Sequence, residues 1–499
     1  MDSGRAASQP RLESVRLSPL RRSAALLAGR AAGFASRALR RGGGTALPGL
    51  VAEALAPGLA AEMASQLGSG SLIVTGTNGK TTTARLIAGI ASTAGLQPLP
   101  NRSGSNLMRG IATALMDEAD VRGRLRDGSG RLGVFEVDEA TLPQAAEALR
   151  PRVLLFTNLF RDQLDRYGEV DSVAACWRRT LEAADPSTVV ILNADDPSVA
   201  ALADVAPGEV VCYGVDDPSA GLACAEHAAD ARWCPSCGSE YRYSALFYGH
   251  VGHWFCPGCG RARPAPQVRA TAVTSKDGRT LISVETPLGH LPLSLALSGL
   301  YNVYNALAAA AAGLTLGVSL EAIGQGVSTA TAAFGRQEAF EVDGRRVLVL
   351  LGKNPAGLNQ VLRTIAAADT EKHLLFLLND GVADGRDVSW IWDADFELLA
   401  SPGGGQTAAR LGVSAPGGGR PGTWVLSGTR AEDLALRLKY AGLETAAAVE
   451  PDVEAALARA LRETPAGGLL YVVPTYTAML RVRELLARRG RRAHYWEEP

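Results

Sequence analysis

The chain has 499 residues, enough for about three domains of ordinary size, with 47% hydrophobic residues, 20% charged residues and a net charge of −1. This is the composition of a soluble globular protein, and the near-neutral balance excludes a global field that would gather nucleic acid or an acidic membrane. There are five Lys, two of which, Lys80 and Lys353, fall in Gly- and Asn-rich loops. Seven Cys, four of them in two Cys-x-x-Cys pairs and three (Cys176, Cys212 and Cys224) scattered, point to metal chemistry in a reducing compartment rather than to a disulfide framework.

The first 41 residues carry nine Arg and two acids, with Ala and Ser between them. A transit peptide shares that pattern. Leu27, Ala31, Phe34 and Ala38 fall on one helical face, which favours a disordered tip followed by a basic amphipathic helix ending near "RRGGGTALPG". From residue 71, strand-like runs ("SLIVTG", "RLGVFEVD", "RVLLFTN", "TVVILNAD", "EVVCYG") alternate with Ala- and Leu-rich helical text, as in a doubly wound, mostly parallel sheet. A Cys-rich insertion at 222–266 interrupts the series, and 268–333 completes it. The uncharged run from Thr286 to Leu320 is long enough for a bilayer. Its alternating "LPLSLAL" and the interruptions at Gly299, Asn302 and Asn305 favour a buried strand and a buried helix. A second α/β series begins at "RRVLVLLGKNPAG" and continues through "HLLFLLND", "TWVLSG" and "LLYVVPTY", with a flexible Gly/Pro-rich loop, "SPGGGQTAARLGVSAPGGGRPG", between its elements.

"GTNGKTTT", Gly76 to Thr83, follows an apolar strand and opens a helix. That context makes it a phosphate loop: backbone N–H groups and the helix N-terminus cradle an anion. Gly76 and Gly79 permit the turn, and Thr77, Asn78 and Thr82 complete the cradle. Lys80 is expected to reach the β- and γ-phosphates, and the Thr81 hydroxyl to bind Mg²⁺. Cys234, Cys237, Cys256 and Cys259 have the spacing of a closed Cys₄ zinc ribbon, a structural site with no open position for catalysis. His250 and His253 read as packing histidines. Arg and aromatic residues interleave in the ribbon, and the need of a small insertion to bury aromatics around its metal explains them better than base stacking does.

The tight Gly-Thr-Asn-Gly-Lys-Thr spacing resembles the Mur ligase and folylpolyglutamate synthase superfamily, whose members phosphorylate a carboxylate with ATP and let an amine attack the acyl phosphate. "VFEVDEA" places Glu136 where that superfamily keeps a Mg²⁺-binding Glu. "TNLFRDQLDRYG", "LNADDP" and "SGLYNVYNALAAAAA" also follow its pattern, with Asn302 at the adenine-contacting position, and "FGRQE" sets Arg336 at the linker Arg that meets phosphate. Two departures stand out: Gln163 occupies a common His position, and no Lys lies between Lys80 and Lys276 to serve as the carbamylated metal bridge of the amino-acid-adding members. The second metal site and an amino-acid nucleophile are both put in question by this.

An inserted Cys₄ ribbon together with "GKNPAGLNQVL", "LLNDGVADGRDVSWIWDADFE" and "VVPTYTAML" resembles the MurT family, the synthetase subunits of lipid II isoglutaminyl synthases. The resemblance implies an α/β fold: a basic N-terminal extension (1–45), a Mur ligase-type P-loop central domain (46–334) carrying the zinc ribbon (222–266), and a smaller Rossmann-like C-terminal α/β domain (335–499). It implies ATP, Mg²⁺ and a structural Zn²⁺ as cofactors and amidation of the D-glutamate α-carboxylate of the lipid II stem peptide. The ammonia would come from a GatD-type glutaminase subunit, and the site would be cytoplasmic or at the inner face of the plasma membrane. An Asp of the last domain is thought to complete the partner's Cys-His pair, which singles out Asp387 and Asp393. Lys353 and Asn354 (with Asn359 following) are placed to face the substrate carboxylate or acyl phosphate. Cys176 lies in helical text and reads as a core residue, so the chain supplies no glutaminase nucleophile of its own. The competing expectations are a stand-alone folate- or peptide-type glutamate ligase, a zinc-ribbon nucleic-acid-binding ATPase, and a scaffold that binds ATP without turnover.

Overall fold

The computed structural model describes residues 17–38, 46–101, 105–162, 170–222, 230–276, 279–329, 336–368, 371–399, 421–443 and 447–489. Its first sheet has nine strands: β1 (Ser71–Thr75), β2 (Gln97–Pro100), β3 (Arg131–Glu136), β4 (Val153–Phe156), β5 (Val189–Asn193), β6 (Val210–Val215), β9 (Val268–Lys276), β10 (Arg279–Thr286) and β11 (Gly289–Leu295). They lie in the order β11-β10-β9-β6-β5-β4-β1-β3-β2. β2 to β6 and β1 run parallel, and β9, β10 and β11 add an antiparallel edge.

The central strands are apolar along their length because both faces are covered. Leu72 and Val74 of β1 point into one core, shared with helix α4 (Lys80–Thr93) and the helix Leu300–Thr315. Ile73 points into the other, shared with the N-terminal helices α1 (Pro19–Ala38), α2 (Leu47–Leu55) and α3 (Leu59–Ala64) and with α5 (Met108–Asp117). The uncharged stretch after Thr286 is thus a strand and a helix; the helix Leu300–Thr315 is buried as expected, whereas β11 is the edge strand and alternates buried and exposed residues, so the expectation of a buried strand is corrected. No described helix is long and apolar enough to cross a membrane.

Helix α1 forms, and it packs through the face opposite the Leu27, Ala31 and Phe34 stripe. Leu27, Ala31 and Phe34 are exposed, while Ala25, Leu26, Gly29, Gly33 and Ser36 are buried; the side chain of Ala38 lies outside the described residues. Packing here runs through small residues. A Cβ on Gly29 would sit 2.6 Å from the Pro48 carbonyl oxygen, and one on Gly33 2.7 Å from the Pro48 ring. The close approach of α2 selects the face that lacks bulk and turns the larger apolar side chains outward.

A six-stranded sheet follows, in the order β12-β13-β17-β14-β15-β16, from β12 (Arg336–Val342), β13 (Arg345–Leu350), β14 (Lys372–Leu377), β15 (Pro421–Ser427), β16 (Ala447–Val449) and β17 (Leu469–Pro474). It is parallel apart from the β12 edge, with an apolar core on each side. The hairpin β7 (Arg242–Tyr248) and β8 (Val251–Phe255) stands apart as a two-stranded sheet in the Cys-rich insertion. The basic tip, Gln163, Cys224 and most of the Gly/Pro-rich loop lie outside the described residues.

Candidate active site and thiolate centre

β1 lies between β3 and β4, with each neighbour's following segment crossing its carboxyl end, the position where open α/β sheets place ligands. The phosphate loop leaves β1 there. Gly76 and Gly79 have φ of +128° and +89°. A Cβ at either would come within 2.1 Å of an oxygen, Thr157 Oγ1 or Asn305 Oδ1, so both demand glycine. The segment after β4 fastens the loop from below. Thr77 N donates to the Asn158 carbonyl (2.9 Å) and Asn78 N to Asn158 Oδ1 (2.9 Å). The Asn78 carbonyl accepts from Thr157 Oγ1 (2.8 Å) and Asn158 Nδ2 (3.0 Å).

Lys80 opens α4 and is buried. Its ammonium donates to the Gly76 carbonyl at 2.5 Å and pairs with Glu139 Oε1 at 3.0 Å. Burial works against its charge, but the carboxylates of Glu139, Glu136, Asp138 and Asp162 outweigh that and raise its pKa. Lys80 therefore stays a cation in this pocket. The Thr81 hydroxyl donates to Glu136 Oε2 at 2.7 Å, because Val74 and Glu136 are paired across β1 and β3. A hydroxyl and a carboxylate converging on the phosphate end of the loop are the oxygen donors Mg²⁺ takes. Thr82 is buried in the first turn of α4, and Thr83 Oγ1 donates to Asn305 Oδ1 at 3.3 Å.

Asn302 is buried, and its amide is committed locally: Nδ2 donates to the Ser298 carbonyl (2.7 Å) and Oδ1 accepts from Asn305 (3.1 Å). Tyr301 and Asn305 line the cleft in its place. The side chain of Arg336 lies outside the described residues; its backbone opens β12 against Leu350. Sequence reasoning missed Glu139. Its signal was the run of acids that follows Glu136 at the same strand end, Asp138 and Glu139.

The second sheet closes the site. Asn354 caps the helix Pro355–Ala366 by accepting from Gly357 N (2.8 Å), and its Nδ2 donates to Asn78 Oδ1 (3.1 Å) on the phosphate loop. Lys353 forms an ion pair with Asp162, and Asp393 pairs with Arg161 at 3.2 Å. Asn359 instead holds Asp395, donating to it at 2.7 Å. Between the sheets is an open cleft lined by Asn78, Gly79, Tyr248, Asn305, Lys353 and Gln360 among others. Asp387 is exposed, and the Ser389 hydroxyl and backbone N–H hold its carboxyl below the usual range.

Cys234, Cys237, Cys256 and Cys259 bring their four sulfurs within 4.8 Å of one another. The two pairs sit in equivalent turns. Gly238 N donates to the Cys234 carbonyl and Gly260 N to that of Cys256. Residues flanking each turn pair as Trp233 with Glu240 and Phe255 with Ala262. Burial raises the Cys234 thiol, but the backbone N–H groups of Ser236 and Cys237 outweigh it and bring it down to about 6. Four converging sulfurs and thiolate-stabilising N–H groups fit a closed tetrahedral metal such as zinc. His253 Nε2 contacts the Val215 carbonyl at 2.7 Å, and His250 Nδ1 accepts from Asp230 N at 3.2 Å, so both histidines pack away from the sulfurs.

The insertion is docked on the first sheet. Asp195, buried, pairs with Arg263 and accepts from Tyr304 Oη (2.6 Å) and Val215 N (2.8 Å). Trp254 Nε1 donates to the Ala194 carbonyl at 3.0 Å. Tyr248 and His250 of the hairpin pack on Phe160, with ring centroids 5.9 and 4.4 Å apart, beside Arg161 and Asp162. Burial pushes the Cys212 thiol up to about 11 and raises that of Cys176, which is half-buried on its helix; neither is an activated nucleophile.

Comparison with known proteins agrees with both halves. Residues 74–234 match the Mur ligase middle domain family, and residues 351–415 and 417–479 match the MurT ligase C-terminal family. The chain is 32% identical over 456 residues to the MurT subunit of lipid II isoglutaminyl synthase (glutamine-hydrolyzing) from Staphylococcus aureus, covering 91% of this chain and 95% of the relative. The Streptococcus pneumoniae subunit of the same name is 32% identical over 476 residues, covering 94% and 98%. The chain belongs to the MurT family. The fold is shared with solved Mur ligases: MurF from Acinetobacter baumannii superposes with a TM-score of 0.61 at 19% identity, covering 88% of this chain and 80% of that one. A pseudomurein peptide ligase type C from Methanothermus fervidus gives 0.60 at 21%, covering 85% and 79%. Membership in MurT makes the chain a Mur-type ligase subunit.

Proposed function

We propose that this MurT-family chain amidates the α-carboxylate of D-glutamate in the lipid II stem peptide, using ATP and ammonia from a GatD-type glutaminase subunit. The observation that carries this reading is the convergence of the Lys80 loop with Lys353 and Asn354 of the second sheet on one cleft. Such an arrangement can present a carboxylate to a γ-phosphoryl group.

A carboxylate resists ammonia because hydroxide is a poor leaving group. Attack of the carboxylate oxygen on the γ-phosphorus breaks the bond to the β-phosphate oxygen and releases ADP. Ammonia then attacks the acyl carbon, the C–O bond to phosphate breaks, and the surplus proton on nitrogen passes to water. In this reading Lys80 leaves Glu139 for the transferring phosphoryl group, and Arg336 adds positive charge from the linker. Thr81 and Glu136 would hold Mg²⁺, which would supply further positive charge against the same group. Gly76, Thr77, Asn78, Gly79 and Thr82 seat the phosphates, and Asn302 sets Asn305 beside the base. Zn²⁺ on the four Cys is structural.

The two acids singled out for the partner separate on geometry. Asp393 pairs with Arg161, in the segment after β4, whereas Asp387 is exposed and its carboxylate is held by the neighbouring Ser389 N–H. We assign Asp387 the role of positioning the partner's catalytic pair and Asp393 that of holding the two sheets together. The chain acts on the cytoplasmic side, in peripheral contact with the membrane that carries its substrate.

The test is ADP release by the purified chain with ATP, Mg²⁺ and lipid II, with and without ammonium, and with glutamine plus the glutaminase. Turnover that needs ammonium, or glutamine with the partner, is expected. Turnover driven by free glutamate without either would return the stand-alone glutamate ligase to first place.

A further inference from the structure

Helices α1 and α2 lie side by side and antiparallel. Arg21 Nε donates to the Leu55 carbonyl at 2.9 Å, near one end, and Gly33 abuts Pro48 near the other. Both press their small residues onto each other and onto α5, where Gly49 abuts Arg109 and Ala112. Both turn apolar side chains the opposite way. On α1 these are Leu20 (84% exposed), Leu27 (55%) and Phe34 (71%), spaced seven apart on one stripe; on α2 they are Leu47 (39%), Leu50 (50%) and Leu55 (49%). Six of the fourteen large apolar side chains exposed among the described residues lie on this hairpin. Such a concentration of exposed apolar side chains on one helical hairpin marks an interaction surface.

Charge selects the occupant. The first 45 residues carry nine Arg and two acids in a chain whose net charge is −1. Among the described residues, the arginines near the other end of the chain are engaged within the fold: Arg481 and Arg488 pair with Glu484, and Arg483 is buried against Glu338. An apolar helical stripe beside an Arg-rich segment matches the acyl–headgroup boundary of an anionic bilayer. We propose that the outer face of the α1–α2 hairpin seats the protein on an anionic membrane surface; this rests on the preceding reading for its purpose, since a lipid-linked substrate lies at a bilayer.

The experiment is co-sedimentation of the full chain with phosphatidylglycerol vesicles, comparing wild type with Leu27→Glu/Phe34→Glu and with Leu50→Glu. Wild type is expected to partition onto the vesicles and the charged variants to lose at least tenfold in partition. Leu27→Ala/Phe34→Ala should fall between them. Amidation of a water-soluble stem-peptide analogue should be unchanged in all variants, because the hairpin is remote from the cleft, while amidation of lipid II embedded in vesicles falls at least tenfold. Partition of the variants equal to wild type would overturn the inference. So would a wild-type dimer that the Glu variants split, which would make the face a self-interface, or capture of the face by the glutaminase, shown by loss of the partner in the variants without loss of vesicle binding. Failure to amidate the soluble analogue, with vesicle partition intact, would instead count against the functional reading alone.

Discussion

Lys80 is the residue on which the chemistry turns. In this structure it is folded back onto the Gly76 carbonyl and Glu139. Its pKa is raised, so the stability this cation contributes is present below its unfolded value near 10.5 and is lost only as pH rises through the higher folded value. Nucleotide affinity should therefore show no alkaline loss from this group between about pH 7 and 10 in a fluorescent-nucleotide titration. Lys80→Ala should lower the amidation rate by roughly 10²-fold or more, the usual scale for removing a charge-stabilising donor; full activity would support the scaffold alternative instead. Gly79→Ala should abolish nucleotide binding, since its Cβ collides with Asn305 Oδ1. The loop was legible from eight residues, because a strand, a glycine turn and a helix start are all local signals. Glu139 and Asn305 were not, because what singles them out is where neighbouring elements bring them: Glu139 to Lys80, Asn305 to Gly79.

Among the elements, the Cys₄ insertion was legible by spacing alone, and its two equivalent turns bring the four sulfurs together as a thiolate site would need. What the spacing did not show is the use of the hairpin: Tyr248 forms part of the cleft wall, and His250 and Tyr248 back Phe160 next to Asp162. Cys234→Ser/Cys256→Ser should remove bound zinc, read by metal analysis, and weaken ATP binding about tenfold, or ~1.4 kcal/mol. Unchanged ATP affinity in the zinc-free variant would mean that the hairpin holds its shape without metal. Arg263→Ala should cost about 3–5 kcal/mol in a denaturant titration, because it strands the buried Asp195 carboxylate without its partner. Helix α1 shows what periodicity leaves open. Spacing identifies a stripe of large apolar residues but does not say which side another helix approaches, and Gly29 and Gly33 decide that.

At the scale of the whole molecule, the two sheets meet through polar contacts: Asn354 to Asn78, Lys353 to Asp162, and Asp393 to Arg161. These contacts join residues far apart in sequence, so the sequence showed a likeness to known ligases but not which side chains bridge the cleft. Lys353→Met should lower kcat for amidation while leaving ATP affinity within a few-fold, since Lys353 faces Asp162 rather than the phosphate loop. Asp387→Asn should leave ammonium-driven amidation intact and suppress the glutamine-driven reaction of the complex, a split that Asp393→Asn should not reproduce. The most direct test of the central claim is mass spectrometry of the lipid II stem peptide after incubation with the chain, ATP, Mg²⁺ and isotopically labelled ammonium, with fragmentation to locate the label. The account predicts one labelled nitrogen, as an amide on the α-carboxylate of D-glutamate. Label on another residue, or an unlabelled stem even with the glutaminase and glutamine present, would contradict it.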